Sequence, residues 1–293
     1  MLNPDIIQNV RRIQIRTSHL ADDMLAGMYH SAFKGRGIEF EEVRPYQVGD
    51  DVRTIDWNVT ARAGEPYIKL FREEREMSVN LLVDLSASQA VGSEGQLKRE
   101  LVAQVGATLA FSAIDNSDKV GFTGFTDQIE KVVPPRKGKR HVLRVIRELL
   151  FCEPISTGTD IRQAIDHFNK MQKRRSVVFL ISDFLDHGYE KALRVAARRH
   201  DIIPIIVSDP REYDLPNVGL IELRDAETGQ QVLIDTASRR NRQAYREKMF
   251  AFAERRRQLF RRFKIEAVTL TTGEDFVEPL AQYFRKREAR LAR

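Results

Sequence analysis

Short apolar runs alternating with amphipathic stretches constrain this chain more than any other feature. Val79 to Val83 is too continuous for a strand with one wet face, and Val177-Val178-Phe179-Leu180-Ile181 and Ile202 to Val207 repeat the pattern. Lys119 to Thr126 and Ile265 to Leu270 read as two further strands. Between the runs lie helical stripes: Leu101, Val102, Val105 and Leu109, then Val142, Val145, Ile146 and Leu149. Asp160 to Met171 and His187 to His200 also read as helices, and Phe276, Leu280 and Phe284 line a last one. Such alternation predicts a doubly wound α/β domain over 78–293, with a mostly parallel sheet flanked by helices. A β-hairpin insertion over about 212–237 interrupts it, running from Leu220-Ile221-Glu222-Leu223 through Ala226-Glu227-Thr228-Gly229 to Val232-Leu233-Ile234. An arginine-rich helix over about 239–264 follows, with Tyr245, Met249, Phe252, Leu259 and Phe263 on its inner face.

Residues 1–77 read differently. A helical stripe over 4–34 passes through Ile7, Val10, Ile13, Leu20, Met24 and Met28, and Lys34-Gly35-Arg36-Gly37 breaks it. Short β-like pieces then turn at Pro45, at Gly49-Asp50-Asp51 and at Ala63-Gly64-Glu65-Pro66, which predicts a small β-rich module. A chain of 293 residues has room for this module beside one large domain.

Composition narrows the function classes. No apolar run approaches the roughly 18 residues of a membrane span. The polar, helix-like N-terminus is not that of a signal peptide, and a cytoplasmic location is expected. The single cysteine, Cys152, excludes an intramolecular disulfide and a cysteine-rich metal site. Net charge is +6, but residues 239–293 alone carry +9 and the other 238 residues −3. A basic end of this kind attracts nucleic acid, an anionic membrane surface or an acidic protein, or is simply a solvated helix face.

Ligands of open α/β sheets bind beyond the carboxyl ends of the strands. The run at 79–83 delivers Asp84, followed by Ser86 and Ser88; the run at 177–181 delivers Ser182 and Asp183. Thr157-Gly158-Thr159-Asp160 opens a helix between them. Asp84, Ser86, Ser88, Thr159 and Asp183 therefore form a candidate cluster, with the first three on one side of an extended segment. All five offer oxygen, which suits Mg²⁺ or Mn²⁺ better than Zn²⁺. Taken singly, each has a plainer reading: a turn-forming Asp, a capping Ser, Thr159 as the N-cap of the next helix.

Asp-Leu-Ser-Ala-Ser at 84–88, Gly-Thr-Asp at 158–160 and Ser-Asp at 182–183 resemble the metal-ion-dependent adhesion site of von Willebrand factor A domains. With Gly-Ile-Glu-Phe at 37–40, Arg-Pro-Tyr-Gln-Val-Gly-Asp-Asp-Val-Arg at 44–53, Ile-Asp-Trp at 55–57 and Ala-Arg at 61–62, the chain resembles the bacterial family catalogued as domain of unknown function fifty-eight, from about residue 30 onward. The resemblance implies a von Willebrand factor A-like fold, no catalytic activity, and a bound Mg²⁺ (or Mn²⁺). It implies an adaptor role beside a MoxR-type AAA+ ATPase, with that ATPase or a client protein donating a carboxylate to the metal. Asp84, Ser86 and Ser88 would be first-loop ligands, Thr159 the second-loop ligand and Asp183 the third. Adhesion-type domains usually have Gly after the last of these, where this chain has Phe184, so direct and water-mediated ligation by Asp183 both stay open.

In the N-terminal module, Arg44, Asp50, Arg53, Asp56 and Arg62 crowd around Tyr46 and Trp57. They read either as a salt-bridged hairpin anchored by Trp57 or as a contact surface for the ATPase. Two other functions stand as alternatives: a metal-dependent hydrolase or phosphatase using Asp84, and a basic nucleic-acid-binding protein. The first lacks a second acid two residues on, where Ser86 stands; the second lacks a recognised nucleic-acid module.

Overall fold

A computed structural model describes residues 25–33, 39–72, 77–93, 95–224, 227 and 229–291. The expected helix at Ile7 through Met24, the break at 34–37 and part of the turn at 226–229 lie outside the described residues. The chain divides into two compact units, Phe33–Met77 and a larger one that joins Ser78–Arg293 to the residues up to Ala32.

The larger unit is built on six strands: β3 (Ser78–Asp84), β4 (Lys119–Phe125), β5 (Ile129–Arg136), β6 (Val177–Ser182), β7 (Asp201–Ser208) and β10 (Val268–Thr271). Their order is β10-β7-β6-β3-β4-β5, parallel throughout except for β5, which runs antiparallel to β4. β5 is not apparent from its residues, because Pro134-Pro135 interrupts it; prolines are tolerated there because the strand lies at the edge. Both faces of the sheet are covered. Leu82, Val178 and Leu180 join a core with α5 (Ile161–Met171), α6 (Glu190–Arg199) and Phe260 of α7 (Arg239–Arg262). The alternate residues Leu81, Val83, Phe179 and Ile181 are buried as well, which explains the continuous apolar text of these strands. Helices α3 (Lys98–Asp115) and α4 (Lys139–Phe151) approach closely at Gly106, where even a Cβ would meet Leu149 at 2.9 Å.

The expected hairpin is present as β8 (Leu220–Arg224) paired antiparallel with β9 (Gln231–Asp235). The last helix, α8, spans Val277–Leu291, and α1 spans Ala26–Phe33. The smaller unit pairs β1 (Glu39–Pro45) with β2 (Tyr67–Arg72) and inserts a helix, α2 (Trp57–Ala63), that a reading of short β pieces did not anticipate. Its ends are well signalled: the Asp56 carboxylate accepts from Asn58 N and Val59 N, and Gly64 closes it at φ 79°.

Candidate functional site

The sheet order decides where the site lies. The chain leaves β3 for β4 on one side and later returns to β6 on the other, so the strand order reverses between β3 and β6. That is the switch point at which open α/β sheets bind ligands. Val83 pairs with Ile181, which brings Asp84 beside Ser182 at the carboxyl edge.

Asp84 is buried, and both of its oxygens are engaged: one accepts Ser86 N at 2.9 Å, the other Ser182 Oγ at 2.6 Å. Ser86 Oγ shares a hydrogen bond with Ser88 Oγ at 3.0 Å, and Ser88 Oγ donates to Asp183 Oδ2 at 2.7 Å. Asp84, Ser86, Ser88 and Asp183 thus form one connected chain across two neighbouring strands. Burial, then the nearby charge of Asp183, pushes the Asp84 carboxyl up to about 7 despite those donors. Gln89 donates to the same Asp183 oxygen at 3.4 Å, while its own buried Oε1 finds no donor among the described residues. A cavity of about 110 Å³ beside these groups is lined by Asp84, Ser86, Gln89, Arg99 and Cys152, among others. Burial and then Glu148 raise the Cys152 thiol, the wrong direction for a nucleophile.

Thr159 is held differently. Its hydroxyl donates to Glu227 at the hairpin tip, at 2.5 Å, and not to the Asp84 cluster. The second loop reaches the first through Ala87 N, which donates to Thr157 O at 3.0 Å. Thr159 does not cap the next helix; Asp160 does, accepting Gln163 N.

Three residues that the sequence reading did not place at this site complete the surroundings. Lys98 is fully buried and donates to Asp183 Oδ2 at 2.8 Å and to Glu212. Arg256 donates to the Asp183 carbonyl at 2.6 Å. Burial works against the Lys98 ammonium, but Asp183 and Glu212 outweigh it and hold its pKa above the ordinary value. One signal was legible: Lys98 precedes Leu101 and Val102 by three and four residues, so it lies on the inward stripe of its helix.

The donor set suits a hard cation. Among the described residues no group of three or more His, Cys, Asp or Glu is placed to hold a metal, so an ion here would draw on the hydroxyls of Ser86 and Ser88 as well as Asp84. The raised Asp84 carboxyl and the orphan Gln89 oxygen both mark a place short of positive charge or donors.

In the smaller unit, the Arg44 guanidinium grips Asp50 through two bonds of 2.9 and 2.8 Å and holds its carboxyl below the usual range. Asp56 caps α2 and meets Lys69 at 3.2 Å. Trp57 is 70% exposed. Tyr46 N donates to Pro66 O, Arg53 N to the Asp51 carboxylate, and Arg62 lies exposed in the last turn of α2.

No helix among the described residues is long and apolar enough to cross a membrane. A solved aerotolerance-related membrane protein from Bacteroides fragilis aligns with 74% of this chain and all of its own, at TM-score 0.47 and 16% identity. BatB from Bacteroides thetaiotaomicron aligns over the same shares at TM-score 0.45 and 18% identity. Uncharacterized proteins of Mycobacterium bovis and Mycobacterium tuberculosis are each 33% identical over 230 residues, 78% of this chain and 73% of theirs. The profile of the family described as Protein of unknown function DUF58 matches residues 42–255, and the chain belongs to that family.

Proposed function

We propose that this chain is a non-enzymatic interaction protein, and that its strand-end loops form a metal-ion-dependent adhesion site of the von Willebrand factor A type. The observation that carries the reading is the connected chain Asp84–Ser86–Ser88–Asp183 at the switch point of the sheet. Asp84, Ser86 and Ser88 would hold Mg²⁺ or Mn²⁺, with Asp183 behind them and Thr159 at the rim. The ion, when bound, supplies an electrophilic position for a carboxylate from another protein. A MoxR-type AAA+ ATPase, or a client brought to it, is the proposed partner, and protein remodelling or complex assembly the proposed setting.

Thermal unfolding across a Mg²⁺ and Mn²⁺ titration, against an EDTA control, tests the site. A ligand that binds only the native state raises the midpoint, by about 2.7 kcal/mol of stability at a hundredfold excess over its dissociation constant. The wild type is expected to show the rise and Asp84→Ala to lack it. The same variant should lose ATPase binding while keeping its circular dichroism spectrum. Wild-type binding by Asp84→Ala would refute the metal bridge.

A further inference from the structure

Lysine is almost never fully buried unless its charge is met, and Lys98 has 0% of its surface exposed. Its ammonium bridges two carboxylates, Asp183 on the third loop and Glu212 in the turn after β7. Glu212 is itself held in place, because its other oxygen accepts Asp209 N at 3.1 Å. Asp209 in turn accepts Ser93 N and Thr272 Oγ1, tying this turn to the loop ahead of Lys98 and to the end of β10. Neither acid has much freedom to swing away from the ammonium.

Asp183 is correspondingly occupied from within. Its Oδ2 receives Lys98, Ser88 and Gln89; its Oδ1 receives Leu185 N at 3.1 Å; its carbonyl receives Arg256. A carboxylate so engaged, with a full positive charge already against it, has little left to offer a second cation. Among the described residues Asp84 has no such counter-charge in its hydrogen-bond partners, which are the Ser86 amide and the Ser182 hydroxyl.

We infer that Lys98 is the resident cation of the strand-end site and sets its metal affinity: it satisfies Asp183 internally, leaving a divalent ion to Asp84, Ser86 and Ser88. The ion is then weakly held by this chain alone and short of anionic ligands, the condition under which an acidic partner group adds most. The inference rests on the proposed metal site and refines it.

Lys98→Met, which keeps most of the side chain's length and removes its charge, provides the test, with Mn²⁺ alone as the probe. Binding is read by titration calorimetry and by the electron paramagnetic resonance signal of free Mn²⁺. Removing a unit charge this close to a cation site should tighten Mn²⁺ binding about tenfold or more, even as the metal-free protein becomes less stable. Should Lys98→Met fold poorly, Lys98→Met/Glu212→Gln removes one of the two largely buried carboxylates left without their ammonium, still frees Asp183 for the ion, and is read the same way. Tighter binding in either variant, including binding where the wild type shows none, supports the inference. Equal or weaker binding, with wild-type binding still lost in Asp84→Asn, overturns the role of Lys98 and leaves the metal site standing. No binding by any of these proteins overturns both. A gain that persists when Asp84→Asn is added to Lys98→Met puts the ion between Asp183 and Glu212 and overturns the assignment to the first loop.

Discussion

Phe184 follows Asp183 with φ at 56°, a region that costs an L-residue roughly 1–2 kcal/mol and that bulky side chains rarely enter. It stays there because its ring is fully buried, 5.5 Å from Phe260 in an edge-on pair and 6.0 Å from Tyr189. Its amide donates to Ser182 Oγ, the hydroxyl that also donates to Asp84. Phe184 thus locks the loop after β6 to the core at the cost of local strain. Phe184→Ala should lose about 3–5 kcal/mol in denaturant unfolding, as expected for an emptied aromatic site. Phe184→Gly should be no worse, and by about 1 kcal/mol better, because glycine relieves the left-handed backbone. Glycine falling well below alanine would show that the conformation carries no strain.

At the scale of elements, β4 is tightly packed between its neighbours. A Cβ on Gly121 would lie 2.6 Å from Asn80 Oδ1 on β3 and 3.0 Å from Pro135 on β5, so the glycine sits between two strands with no slack. Gly121→Ala should destabilise by about 1–3 kcal/mol by overpacking, measured as a shift in the urea midpoint with an unchanged slope. This crowding was not legible, since Gly121-Phe122-Thr123-Gly124 reads only as a strand. The parallel strands were legible because burial on both faces leaves continuous apolar runs, and the helices because one face is apolar. β5 escaped because edge strands accept Pro134-Pro135 and exposed polar residues, which look like a loop. The site divides in the same way. Its carboxylates and first-loop hydroxyls were visible as strand-end residues. Their union with Lys98, Glu212, Gln89 and Arg256 was not, because it depends on β6 lying beside β3 and on helix paths that bring distant segments together.

For the molecule as a whole, the basic C-terminal part and the charged smaller unit invite a binding role, but the structure uses some of that charge internally. Arg256 serves the Asp183 carbonyl, Arg242 the carbonyls of Thr236 and Ala237, and Arg246 and Arg257 pair with Asp214 and Glu254. The arginine-rich helix is therefore partly a structural clamp on the loop after β6, which weakens the nucleic-acid reading. In the smaller unit charges are likewise paired internally, Arg44 with Asp50 and Asp56 with Lys69, whereas Trp57 presents most of its indole to solvent at the start of α2. Tryptophan is enriched among the residues that dominate interfaces. Trp57→Ala should change the unfolding free energy by less than about 0.5 kcal/mol, as for most surface substitutions. If the proposed MoxR-type ATPase partner docks there, the same variant should weaken that association by about tenfold or more, as for a central interface residue. Surface plasmon resonance in Mg²⁺ buffer, run beside Asp84→Ala, separates the contributions of the two units. Loss with both variants means that the ATPase engages the smaller unit as well as the strand-end loops; full binding by Trp57→Ala confines recognition to the loops and leaves the salt-bridged smaller unit a structural element.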